Sequence, residues 1–228
     1  MSSKRYKKLK EDNNVKGDIL SKLLSEIKKN CTVKFDESID LCLQIHNKQK
    51  KSEINIRTSV NLPSGTGKSI KIGVVCESVK QQDAKDAGAE IIGGDELIEI
   101  IKTGDLNFDK LICTSSMMPK LAKLGKVLGP KGLMPNPKLG TVSDDISTAV
   151  KNAKSGQVEI RNDKDGNIGV SIGKKSFSDE NLTKNFNAIL EALDKEKSNN
   201  NVKGSLIKNS FITSTMGRSF KIKLEKSI

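Results

Sequence analysis

The sequence predicts an α/β protein in two domains: a discontinuous α+β domain, residues 1–65 and 157–228, with a parallel α/β domain, residues 66–156, inserted into it. Three observations carry this. From Gly67 onward, short apolar strands alternate with amphipathic helices over brief links, the grammar of βαβ units and a parallel sheet. On either side of that stretch, strands alternate apolar and polar residues and fold back through turns. The character changes at two short glycine-bearing segments, 63–67 and 155–157. Two adjacent crossings of this kind act as a hinge more readily than as a rigid joint.

Residues 16–30, KGDILSKLLSEIKKN, place Ile19, Leu20, Leu23, Leu24 and Ile27 on one helical face, with Asp18 as the N-cap. SIDLCLQIH alternates Ile39, Leu41, Leu43 and Ile45, the mark of a half-buried strand, and INIRTSVNL reads as another. In the insert, SIKIGVVC is a strand, SVKQQDAKDAGA a helix ending near Gly88, EIIG a strand and DELIEIIKTG a helix closed by Gly104. FDKLICTS and MMPKLAKLG repeat the pairing, and SDDISTAVKNAKSG makes a further helix with Ser143 and two acids at its positive end. The pattern then reverts. VEIRNDKDGNIGVSIGK predicts a hairpin turning at Asp165-Gly166. SDENLTKNFNAILEALDKEK predicts a long helix with Leu182, Phe186, Ile189, Leu190 and Leu193 inward. The final strands turn at Met216-Gly217.

Charge narrows the partners. The chain carries 40 basic and 28 acidic residues, a formal +12, which favours nucleic acid or anionic surfaces. The outer segments account for +10 of this and the insert for +2, so attraction to a polyanion centres on the outer domain. No apolar run approaches ~18 residues, which argues against a membrane span. The basic start, MSSKRYKKLKEDNN, has no apolar core behind it, so a secretory signal is not expected and the cytoplasm is the expected compartment. The lysine-rich start (Lys4, Arg5, Lys7, Lys8, Lys10) reads as a solvated tail, with an arm on RNA phosphates as the alternative. With one Tyr, six Phe and no Trp, stacking platforms for single-stranded bases are few. Binding to RNA should therefore read a folded shape through cations, backbone groups and 2′-hydroxyls.

Several chemistries are disfavoured. Cys31, Cys42, Cys76 and Cys113 show no CxxC spacing and His46 stands alone, so no metal site is expected. Each cysteine lies in or beside an apolar stretch and reads as a reduced core residue. The lone histidine supports no nucleophilic arrangement, so no catalytic residues are assigned. PSGTGKS at 63–69 lacks the first glycine of a phosphate-binding loop, since Leu62 stands there, and it precedes a strand instead of following one. No nucleotide or other cofactor is expected. Residues 123–141, KLGKVLGPKGLMPNPKLGT, combine four glycines, three prolines and four lysines without an acid. This predicts a shaped cationic loop. Its GPKG matches a short RNA clamp, but the flanking order of elements for that clamp's domain is absent.

These residues resemble one family. LGKVLGPKGLMPNPKLGTV at 124–142 is similar to the signature of the L-one family of large-subunit ribosomal proteins, the mobile-stalk proteins beside the tRNA exit site. KFDESIDL at 34–41, LPSGTGKS at 62–69, AVKNAKSGQVEIRNDKDG at 149–166, SIGKKSF at 171–177 and STMG at 214–217 follow in the family's order, in a bacterial-type pattern. The resemblance implies a Rossmann-like sheet in the insert and no enzymatic activity. It implies binding to the large-subunit rRNA stalk, contact with deacylated tRNA leaving the exit site, and repression of translation through the family's own operon mRNA. Carried over, the rRNA-binding residues are Lys34, Phe35, Glu37, Thr215, Met216 and Gly217. Lys123, Lys126, Lys131 and Lys138 form a candidate second RNA surface. The chain departs from the family pattern at Arg218-Ser219, at Gly169, where a histidine is frequent, and at Thr58, where a glycine is common.

Overall fold

The computed structural model describes residues 4–11, 19–46, 48–49, 52–104, 106–200, 202 and 204–224. The chain divides into two compact units, Met1–Gly67 with Val158–Ile228, and Lys68–Gln157. It begins with helix α1 (Lys4–Glu11) and helix α2 (Leu20–Asn30). In α2, Leu20, Leu23, Leu24 and Ile27 recur at helical spacing and are all buried. Ile19 is the extended N-cap residue, which takes its side chain off that face and leaves it exposed. Asp18, the expected cap, lies outside the described residues.

Strand β1 (Ser38–Ile45) buries Ile39, Leu41, Leu43 and Ile45 and turns the residues between them outward. The same alternation corrects the expectation of four core cysteines. Cys42 occupies an outward position and is exposed, whereas Cys31, Cys76 and Cys113 are buried; all four are free thiols. Strands β2 (Lys48–Gln49) and β3 (Ser52–Glu53) form a small antiparallel pair, and β4 (Arg57–Asn61) follows.

The inserted unit runs β5 (Ile72–Val75), α3 (Gln81–Asp86), β6 (Ile91–Gly93), α4 (Asp95–Thr103), β7 (Lys110–Cys113), α5 (Met118–Ala122), α6 (Gly125–Leu128) and α7 (Ile146–Lys154). Its strands are parallel in the order β6-β5-β7, and Val142 adds a parallel bridge beside Cys113. Both sheet faces are covered. Ile72, Val74 and Ile112 point into a core shared with Ala84, Ile146, Ala149 and Val150. Val75, Leu111 and Cys113 point the other way, into a core with Leu97, Ile101, Leu121 and Leu128. Strands buried on both faces read as continuous apolar runs, which is why KIGVV shows no alternation. Gly73 interrupts the run because a Cβ there would stand 3.0 Å from the Phe108 ring.

The chain returns through β8 (Gln157–Arg161), β9 (Asn167–Lys174), helix α8 (Asp179–Asn199), β10 (Ile207–Ser214) and β11 (Phe220–Lys221). A four-stranded antiparallel sheet, in the order β11-β10-β1-β9, packs its apolar face on α2 and on Leu182, Phe186, Ile189 and Leu193 of α8. The predicted hairpin over 158–174 is corrected in its pairing. The turn forms around Asp163, whose Oδ1 accepts the amides of Asn167 at 2.7 Å and Asp165 at 3.0 Å. Only an isolated bridge, Asn162 to Ile168, joins the arms; β8 pairs with β4, and β9 pairs with β1. Ile168, Val170 and Ile172 draw β9 into the main core, where the eight-residue β1 offers a partner of equal length.

The insert is tied by one carboxylate. Glu90 Oε2 accepts the Ile72 amide at 2.7 Å, and Oε1 meets Lys154 Nζ at 3.2 Å. The Ile72 amide, and after it Lys154, hold this carboxyl below its ordinary 4.5 against the opposing effect of burial. A pKa lowered in the folded state stabilises the fold above the unfolded value, and that contribution is lost as pH falls through the folded value. The wild type should therefore exceed Glu90→Gln in stability above about pH 5, with the gap shrinking below about pH 4. Urea unfolding of both proteins across this range checks it; a gap independent of pH would contradict it.

Candidate nucleic-acid interface

Three strand ends of the outer unit meet at one end of its sheet. The register pairs Ile39 with Ser214 and Ser38 with Lys174, so the start of β1 adjoins the end of β10 and the end of β9. The segment before β1 and the turn after β10 are then stitched by side chains. Thr215 Oγ1 accepts the Ser38 amide at 3.0 Å and donates to the Ser38 carbonyl at 3.3 Å, while Thr215 N donates to that same carbonyl at 3.0 Å. Glu37 Oε2 accepts the Met216 amide at 3.0 Å, and the Glu37 carbonyl accepts the Lys175 amide at 2.8 Å. On the far side of the turn, Arg5 donates to the Met216 carbonyl and, at 2.8 Å, to Thr32 Oγ1.

The structure thus brings Lys34, Phe35, Glu37, Thr215, Met216 and Gly217 together, although 177 residues separate Ser38 from Thr215. Their roles divide by burial. Glu37 is 0% exposed and serves the turn from within. Phe35 and Met216 are 53% and 46% exposed, two of only five large apolar side chains so placed among the described residues. Lys34 and Thr215 are also exposed. Behind the turn lies the Cys31 thiol, which burial pushes up, Ser214 and Lys175 pull down, and Glu37 pushes up further.

Arg5 was missed as an anchor in the reading of the basic start as a solvated tail. The described part is helical, with Leu9 buried and Arg5 and Tyr6 half-buried. The signal was Leu9 four residues after Arg5, the spacing of one helix face. Asn185 was missed too. It is fully buried in α8 and ties PSGTGKS down, accepting the Ser64 amide at 3.0 Å and donating to the carbonyls of Gly65 at 3.0 Å and Ile172 at 2.8 Å. The Ser64 amide and both main-chain groups of Gly65 are thus engaged by the fold, as suits a structural crossing.

In the insert, the carboxyl ends of β5 and β7 are the position where open α/β sheets take ligands. Here a side chain of the protein stands in that place. Asp144 accepts from Ser115 N at 3.4 Å and Ser115 Oγ at 3.3 Å and lies 3.6 Å from Lys80 Nζ. The 123–141 run, expected as a loop, instead holds the short helix α6 and a single 3-10 turn at Pro137–Leu139; buried Leu124, Leu128 and Leu139 anchor it, and Thr141 Oγ1 accepts the Asn136 amide at 2.7 Å. All four candidate lysines, Lys123, Lys126, Lys131 and Lys138, are exposed around it. Among the described residues no group of His, Cys, Asp and Glu is placed to hold a metal ion, and no helix is long and apolar enough to cross a membrane.

The departures from the family pattern have local explanations. The Arg218 guanidinium lies over the Phe220 ring, 4.9 Å from its centroid, so its stem follows the hairpin. Thr58 sits within β4, where a β-branched residue suits the extended backbone. Gly169 borders a cleft lined by Asn55, Arg161, Lys164 and Asn167; a Cβ there would meet nothing within 4 Å, so the missing side chain leaves room in that cleft.

Gly217 is required by close approach. A Cβ there would stand 2.3 Å from Ser214 Oγ, whose residue is itself buried. Gly217→Ala should destabilise the protein, and adding Ser214→Ala should relieve the clash, with a coupling of about 0.5–3 kcal/mol between the two sites. Thermal or urea unfolding of both single variants and the double measures it. Simple additivity would show that the two groups do not meet.

Comparison with known proteins places this geometry. Residues 27–218 match the model of the Ribosomal protein L1p/L10e family. The chain is 67% identical to the large ribosomal subunit protein uL1 of Pelagibacter ubique (strain HTCC1062) over 229 residues, covering 100% of both chains. It is 45% identical to the uL1 protein of Rickettsia akari (strain Hartford), over 90% of this chain and 85% of that one. It is 44% identical to that of Rickettsia typhi (strain ATCC VR-144 / Wilmington), over 97% and 94%. With its sequence motifs, its two α/β units and near full-length identity all agreeing, the chain belongs to the Ribosomal protein L1p/L10e family.

Proposed function

We propose that this chain is a structural constituent of the large ribosomal subunit that binds the mobile rRNA stalk through the face built on Phe35 and Met216. The family is one of structural ribosomal proteins and not of enzymes. The observation that carries the reading is the exposure of these two side chains on backbone segments pinned from within by Glu37, Ser38 and Thr215. An apolar pair held this way fits the wide, shallow minor groove of A-form RNA, where shape and 2′-hydroxyls are read. The +10 charge of the outer segments supports the phosphate attraction such a complex needs.

We further propose that the protein assists release of deacylated tRNA from the exit site and represses translation of its own operon mRNA. Family membership supports both roles. The four exposed lysines of the 123–141 loop support a second RNA surface toward tRNA, since they present charge without a neighbouring acid in the sequence. The proposed location is the cytoplasmic ribosome, and the reading requires no cofactor.

The test is binding of the full chain to an rRNA stalk fragment and to an unrelated duplex across a salt series. Specific binding to the stalk is expected, with log affinity falling against log salt by about 0.7–0.9 per neutralised phosphate. Met216→Asp places an anion in the groove and should abolish stalk binding while leaving thermal unfolding near wild type. Equal affinity for both RNAs would overturn the reading, and undiminished binding by Met216→Asp would remove Met216 from the site.

A further inference from the structure

The two main-chain polar groups of Met216 are held by different parts of the chain. Its amide donates to Glu37 Oε2 at 3.0 Å, and its carbonyl accepts from Arg5 Nη2. The other arm of the same guanidinium, Nη1, donates to Thr32 Oγ1 at 2.8 Å. One planar fork therefore joins α1, the segment after α2 and the turn at 215–217. A lysine carries all its donors on one nitrogen and cannot serve the two acceptors from two separate nitrogens of a rigid plane. Leu9, one helical turn on, is buried and seats α1 from the same side. Lys4 and Lys7, three residues apart, are exposed.

We propose that α1 is a built part of the RNA-binding face. In this arrangement Arg5 is a positioning residue that fixes the Met216 turn, and Lys4 and Lys7 engage backbone phosphates beside it. The inference rests on the rRNA-binding reading above and deepens it. A loose basic arm would add charge alone, whereas this one also fixes the main chain that presents Met216. Glu37 and Arg5 together leave the Met216 side chain standing outward between two anchored peptide groups.

The two roles have different signatures. Arg5→Ala should weaken stalk-RNA binding about tenfold or more, the size of one hydrogen bond from a charged donor. The slope of log affinity against log salt should stay that of the wild type, because Arg5 is engaged by the protein. Arg5→Lys should fail to restore affinity. Lys4→Ala with Lys7→Ala should instead lower the slope by about 0.7–0.9 for each phosphate no longer neutralised. The Gly217 amide is covalently joined to the Met216 carbonyl, so its ¹⁵N resonance in the free protein should move in Arg5→Ala. Thr32→Val, which leaves the helix charge intact, should weaken binding in the same direction and provides the reading if Arg5→Ala folds poorly.

Wild-type affinity in both Arg5→Ala and Thr32→Val would overturn the proposal. So would full rescue by Arg5→Lys with a slope lowered only in Arg5→Ala, since Arg5 would then act as a simple charge. An unmoved Gly217 resonance would also count against it. Failure of the wild type itself to prefer the stalk would instead overturn the function reading, which keeps the two outcomes distinguishable.

Discussion

The hydrogen bond from the Met216 amide to Glu37 Oε2 is the constraint on which the candidate interface depends. A buried polar group left without a partner costs about 1–3 kcal/mol, and here the Met216 amide, 179 positions away, supplies one to the fully buried Glu37 carboxyl. The bond is made because β1 lies between β9 and β10, so the segment entering β1 and the turn leaving β10 emerge at the same end of the sheet. Thr215 reinforces the junction by bonding both main-chain groups of Ser38. With the main chain occupied in this way, Phe35 and Met216 can stand exposed without the turn collapsing onto them. The antiparallel sheet, the two helices on its apolar face and the fully buried Glu37 thus serve one result, a rigid backbone carrying two apolar side chains into solvent.

The insert solves a different problem. Its sheet is covered on both faces, and it has its own two apolar cores. At the end of the sheet where such folds admit nucleotides, Asp144 bonds Ser115 and lies near Lys80. The charge the insert offers lies elsewhere, on the lysines around a loop that Leu124, Leu128 and Leu139 anchor from below. Loop shape and loop charge come from different residues, which leaves the lysines outward whatever the core requires.

Much of the fold was legible because its signals are local. The alternation of Ile39, Leu41, Leu43 and Ile45 gave β1 its face, and Leu182, Phe186, Ile189 and Leu193 gave α8 its stripe. The same local logic was available for Cys42 and contradicts a core placement, since the alternation sends it outward. Other features depend on partners distant in sequence. Nothing near Asn185 indicates that its amide will tie residues 64, 65 and 172, and nothing near Asp165-Gly166 reveals that the two arms will join separate sheets. The candidate site's residues came from the family resemblance of KFDESIDL and STMG, whose two segments the fold sets side by side. What resemblance left out was the division of labour, with Glu37 inside, Phe35 and Met216 outside, and Arg5 clasping the carbonyl.

The central claim is that the turn at 215–217 is a preformed, internally bonded platform. Amide hydrogen exchange of the free protein, resolved by residue, tests it most directly. The Thr215 and Met216 amides, bonded to the Ser38 carbonyl and to Glu37, should exchange far more slowly than the amides of an unstructured chain. Exchange of both at the rate of an unstructured loop would contradict a rigid platform and would make the face something assembled only on contact with RNA.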